Sequence, residues 1–233
     1  MNKATVRAII TDIEGTTTAL SFVKETLFPY AHQHLTLYVK NHLNDPGVRQ
    51  VLDDVRQHQN NPSLTTEEII DLLLHWIEED KKITPLKTLQ GMIWEEGYRS
   101  RTFTTHIYDD AALRLNQWHA AGIPLYVYSS GSIYAQKLLF RYSPHGDLTP
   151  LFAGYFDTTI GNKREQGSYT KIASDIGLPP QTILFLSDII EELDAARTAG
   201  LKTTLLDRER CVQDTKAHPR VYDFSTILLS EAA

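Results

Sequence analysis

The chain has 233 residues, 42% of them hydrophobic and 22% charged, and carries a formal net charge of −6. That length allows one large domain or a domain with a substantial insertion, and the composition is that of an ordinary globular protein. The acidic balance and scattered basic residues argue against nucleic acid or an anionic membrane as main partner, while a single cysteine, Cys211, excludes an intrachain disulfide and thiolate metal sites.

Residues 5–11, TVRAIIT, predict a short strand rich in β-branched side chains and fit to be buried on both faces. The strand breaks into Asp12, Glu14, Gly15 and three threonines, and the acids come too early for the apolar core of a signal peptide. From about residue 20 to 100 the only glycines are Gly47 and Gly91, and apolar residues recur at helical spacing. Phe22, Leu27, Leu35, Tyr38 and Val39 share a helical face, with Pro29 expected to bend or split that helix. Asp45 ahead of Pro46 predicts a capped helix start, as do Thr65 and Thr66 ahead of Glu67 and Glu68. TPLKTLQGMIWEEGYRS completes a set of about four helices.

From about residue 105 helices and strands alternate. DDAALRLNQWHAAG reads as a helix ending at Gly122, followed by the strand IPLYVYSS, the helix SIYAQKLLFRYS and the apolar segment LFAGYFD. After the loop IGNKREQG come the helix SYTKIASDIG, the strand TILFLSD, the helix IIEELDAARTAG and the strand LKTTLLD. Strands separated by helices imply right-handed crossovers and a parallel sheet covered on both faces. The expected fold class is therefore α/β, a Rossmann-like parallel sheet core with an inserted helical cap. Residues 1–19 plus 105–233 would form the core and residues 20–104 the cap, which is expected to close over the cleft and exclude water. No apolar run approaches the length of a membrane span.

Three strands stop alike, at Asp12, at Ser129 and Ser130, and at Ser187 and Asp188. In a parallel sheet the carboxyl ends share one edge, and ligands bind in the crevice outside it. Carboxylates, hydroxyls and the backbone N–H groups of GTT and SGS would converge there, with Lys163 adding a positive charge. That inventory suits phosphoryl transfer. Asp12 and Asp188 can hold a hard divalent cation, a carboxylate beside it can attack phosphorus, and Ser130 and the lysine can steady the equatorial oxygens. Glu14, two residues from Asp12, is placed to protonate the leaving oxygen and then deprotonate water. Taken singly each feature has a plainer reading: Asp12 as a turn residue, Glu14 as a solvated acid, Ser130 or Ser132 as an N-cap, Glu191 and Glu192 as partners of a helix dipole. The nine histidines form no metal pattern; His32 and His34 read as surface, and His75 beside Trp76 as packed or hydrogen-bonded. Trp76 and Trp94 read as core.

The order DIEGTTT, YSSGS, loop lysine and FLSD resembles the haloacid dehalogenase-like phosphohydrolases. Within them, DIEGTTT with glutamate as second acid, VYSSGSIYAQKLLF, FDTTIGNKREQGSYTKIA and ILFLSDIIEELDAA are similar to the enolase-phosphatases of methionine salvage, over the whole chain. The resemblance implies enolisation of 2,3-diketo-5-methylthiopentyl-1-phosphate followed by hydrolysis of its phosphate to the acireductone. It further implies one Mg²⁺ per chain on Asp12, Glu14 and Asp188, with Asp12 and Glu14 catalytic and Ser129, Ser130 and Lys163 on substrate. Lys171, inside an amphipathic helix, is the competing lysine and is assigned to the surface. A small phosphorylated metabolite, no nucleic acid, no membrane, a monomeric state and a cytoplasmic location are the remaining expectations. The other readings are a phosphatase of the same superfamily without the enolase step, a phospho-accepting switch, and a binding module.

Overall fold

The computed structural model describes residues 5–227 and residue 229. The chain divides into two compact units, Met1–Leu20 with Thr105–Ala233, and Ser21–Thr104.

The first unit is built on a six-stranded sheet. Its strands are β1 (Ala8–Thr11), β2 (Leu125–Tyr128), β3 (Phe152–Phe156), β4 (Ile183–Ser187), β5 (Lys202–Leu206) and β6 (Arg220–Val221). The spatial order is β3-β2-β1-β4-β5-β6, and every neighbouring pair is parallel. The fold is α/β, as the alternation predicts. All side chains of β1 and β4 are buried, the pattern of central strands covered on both faces. Ala8, Ile10, Tyr128, Tyr169, Phe185 and Leu205 pack into one core cluster, and burying a side chain such as Phe185 contributes roughly 1.5–3 kcal/mol. β1 is shorter than the sequence suggests, starting at Ala8, and β6 is too short for periodicity to reveal.

The second unit holds four helices, α2 (Phe28–Asn41), α3 (Pro46–His58), α4 (Thr66–Glu78) and α5 (Thr84–Arg99), packed around Leu35, Val51, Leu73, Trp76, Leu89 and Ile93. Before them a single turn, α1 (Leu20–Phe22), runs into a π-helical stretch, Val23–Leu27. Pro29 thus sits in the first turn of α2, where its missing N–H costs nothing, and the widened turn ahead of it replaces the expected bend. The Asp45 carboxylate caps α3 through Gly47 N, and Thr65 with Glu68 forms a reciprocal capping box on α4. Of the two expectations for His75 the packed one is corrected: it is exposed and pairs with Glu78 and Glu79, because the helix face that buries Trp76 turns its neighbour to solvent.

The remaining helices, α6 (Asp109–Ala120), α7 (Ile133–Arg141), α8 (Gln166–Ile176) and α9 (Ile190–Thr198), belong to the first unit. Among the described residues no helix is long and apolar enough to cross a membrane.

Candidate active site

Asp12 follows β1 directly, and its N–H still donates to Leu186 O at 2.9 Å. The ladder therefore runs past the last strand residue and fixes the aspartate. Ser129 is held the same way after β2, donating to Phe156 O at 3.2 Å. Asp188 follows β4, so the three residues stand at one edge, on neighbouring strands.

The turn after Asp12 is tied to itself. Gly15 N donates to Thr18 O at 2.8 Å, and the N–H groups of Thr17 and Thr18 both reach Ile13 O at 2.9 Å. Gly15 has φ +71°, and a Cβ there would collide with the Asp188 carboxylate, so both conformation and space require glycine. Thr16 Oγ1 accepts from Asp188 N at 3.1 Å. Glu14 lies half-buried in this turn, bridged through its backbone to Thr18.

Lys163 reaches the cluster from the loop before α8. Two core tyrosines pin that loop, Tyr128 donating to Gly161 O at 3.0 Å and Tyr169 to Lys163 O at 2.7 Å. The Lys163 ammonium lies 2.6 Å from Asp12 Oδ1 and 2.7 Å from Glu192 Oε2, and its side chain is 6% exposed. Burial alone would lower its pKa, but the charges of Asp12 and Glu192 outweigh burial and hold it above the ordinary lysine range. Glu192 also accepts from Ser187 Oγ at 2.9 Å. Burial and then the charge of Asp12 push its carboxyl up, with Lys163 opposing. Glu192 does stand in the first turn of α9, as the dipole reading has it, but it is also buried and bonded to Lys163 and Ser187, which that reading does not anticipate. Its place four residues after Asp188, in the first turn of α9, is the signal the sequence carries.

Ser129 Oγ accepts from Gly131 N at 3.3 Å, and Ser130 beside it is half-buried. Ser132 Oγ accepts from Ala135 N at 3.3 Å, so Ser132 caps α7. The Gln136 amide donates to Gly131 O at 2.8 Å and Phe156 O at 2.9 Å, holding the serine loop to the sheet. Lys171 is exposed, away from the Asp12 pair, and donates to Ile160 O.

The donor set can be tested for a divalent cation. Asp188 is raised well above the usual carboxylate range, first by burial and then by the charge of Asp12. Although the Lys163 ammonium already engages Asp12 Oδ1, the Asp12 and Asp188 carboxylates repel each other at one edge and are the hard oxygen donors that fit a cation such as Mg²⁺, which takes one or two protein carboxylates and keeps several waters. Among the described residues no three His, Cys, Asp or Glu side chains stand together as a ready-made cage. The set Asp12, Glu14 and Asp188 is thus not preformed as three carboxylates, and water or substrate oxygens would complete the shell.

Residues 6–200 match the family described as haloacid dehalogenase-like hydrolase. The chain is 56% identical to enolase-phosphatase E1 of Methylococcus capsulatus over 95% of its length and 97% of that protein's. It is 53% identical to enolase-phosphatase E1 of Pseudomonas aeruginosa strain UCBPP-PA14, over 97% of this chain and 99% of the other. Among solved structures, the UTR4 protein of Saccharomyces cerevisiae superposes with a TM-score of 0.81 at 34% identity, covering 95% of this chain and all of that one. The chain belongs to the haloacid dehalogenase-like hydrolases and, within them, to the enolase-phosphatases E1.

Proposed function

We propose that the protein is a bifunctional enolase-phosphatase that enolises 2,3-diketo-5-methylthiopentyl-1-phosphate and then hydrolyses the phosphate to give the acireductone. The observation that carries the reading is the buried pair of Asp12 and Lys163, 2.6 Å apart at the carboxyl edge of the sheet. Relatives named enolase-phosphatase E1, 51–56% identical over nearly the whole chain, support it.

In this reading Asp12 is the nucleophile. Lys163 engages Oδ1, which leaves Oδ2 to attack phosphorus in line and form an acyl phosphate as the ester oxygen departs. Lys163, Ser129 and Ser130 hold the equatorial phosphoryl oxygens, where charge must be met in the transition state. Glu14 gives a proton to the leaving oxygen and then takes one from the water that cleaves the acyl phosphate. The same longer acid moves the carbon-bound proton beside the ketone in the first reaction; it reaches about 1.5 Å further than aspartate would. Asp12, Glu14 and Asp188 would hold one Mg²⁺, which when bound would neutralise charge at the phosphoryl group. The helical unit Ser21–Thr104 is the cap. The chain acts as a cytoplasmic monomer on a small phosphorylated metabolite, with neither nucleic acid nor membrane as partner, in keeping with its net charge of −6.

Incubation with Mg²⁺ and the diketone phosphate, followed at once by ultraviolet absorbance of the enol and by phosphate release, tests the proposal. Both signals are expected, both lost on chelation, and Glu14→Asp should slow both by about a hundredfold, the scale of a 1 Å misplacement. Phosphate release without enol, or a Glu14→Asp variant near normal in both, would count against it.

A further inference from the structure

Arg208 stands two residues beyond β5, on the same edge of the sheet, and no step proposed above uses it. Its guanidinium is engaged on three sides. Nε donates to Thr16 O at 2.7 Å, and the terminal nitrogens donate to the Asp110 carboxylate at 3.2 and 2.9 Å. Its central carbon, Cζ, lies over the Tyr108 ring, 3.8 Å from the ring centre. Asp110 in turn accepts from Phe224 N at 2.7 Å. Exposed ion pairs contribute little, but the Arg208 side chain is only 10% exposed and its fork is bidentate. A lysine cannot reproduce that set of contacts.

What Arg208 holds is the turn after Asp12. Thr16, gripped by its main-chain oxygen, contacts Asp188 through Oγ1 at both the Asp188 N–H, 3.1 Å, and Oδ1, 3.5 Å. Gly15 next to it leaves no space for a methyl beside the Asp188 carboxylate. Displacing Thr16 therefore displaces Asp188, both main chain and carboxyl.

We propose that Arg208, oriented by Asp110 and Tyr108, is a positioning residue for the divalent-cation subsite, acting through Thr16 on the placement of Asp188. The inference rests on the reading of Asp12 and Asp188 as cation ligands. Groups bonded directly to a metal's ligands typically control its affinity by 10–100-fold; Arg208 acts one contact further out, through Thr16, which sets the expected effect at the low end, about tenfold.

The test is titration of the full chain with Mn²⁺ alone, without substrate, following free ion by electron paramagnetic resonance. Wild type, Asp188→Asn, Arg208→Lys and Asp110→Asn are compared, with folding checked by circular dichroism. The wild type should bind Mn²⁺, Asp188→Asn should lose it, and Arg208→Lys and Asp110→Asn should bind about tenfold more weakly per folded molecule. A purely structural brace would lower the thermal midpoint without moving that affinity. A folded Arg208→Lys or Asp110→Asn with wild-type affinity overturns the inference. Wild-type binding that survives Asp188→Asn overturns the underlying reading of the ligands, a separate failure.

Discussion

Two carboxylates, Asp12 and Glu192, share the ammonium of Lys163, and all three side chains are buried. Removing that ammonium leaves two acids facing each other without compensation. Lys163→Met should therefore act twice. Phosphate release should fall by roughly a hundredfold or more, as when an oxyanion donor is lost, and urea denaturation should show destabilisation on the order of 3 kcal/mol. Glu192→Gln keeps the shape and leaves Lys163 paired with Asp12, so activity should fall only about tenfold. Equal losses in the two variants would mean that Glu192 does more than orient the lysine. The sequence shows Lys163 as a charge in a loop and Glu192 as a charge on a helix. Neither position reveals the burial: that of Lys163 goes with a loop pinned by Tyr128 and Tyr169, core residues of a strand and a helix, and Glu192 is buried on α9 with bonds to Lys163 and Ser187.

At the scale of elements, the helical unit is most legible where signals are local. The capping box on α4 needs only Thr65 and Glu68, three residues apart, and both bonds are present. Thr65→Ala should cost about 1 kcal/mol of stability in chemical denaturation. The box also has a pH sign. Hydrogen bonds from the Thr65 backbone and then its hydroxyl hold the Glu68 carboxyl below its ordinary value. Such a group adds stability above the usual glutamate pKa, and the contribution fades as pH falls through the lowered folded value. The difference between wild type and Thr65→Ala should accordingly narrow in acid; a gap that widens there would contradict the assignment. The π-helical stretch ahead of Pro29 was not legible in the same way. Proline announces that a regular helix cannot pass, but whether the chain bends, splits or widens depends on what Val23 and Leu27 bury.

Across the whole molecule, the alternation of helix and strand after residue 105 is enough for a parallel sheet, and strand-end residues are enough to suggest a shared edge. The order β3-β2-β1-β4-β5-β6 is not contained in that alternation, since it depends on which strands the crossovers place beside β1. It is this order that sets Asp12 between Ser129 and Asp188. Arg208 and Asp110 escaped the sequence for the same reason: they meet across segments far apart in the chain. In the proposed mechanism Asp12, fixed by the ladder and paired with Lys163, receives the phosphoryl group. The most direct measurement is a single-turnover rapid quench with substrate labelled at phosphorus, with peptide mapping before and after borohydride reduction. Acid-stable label is expected on the unreduced peptide containing Asp12, with borohydride releasing it and leaving homoserine at that position, and both signals are lost in Asp12→Asn. Full-rate phosphate release with no labelled peptide, or label on any other residue, would contradict it.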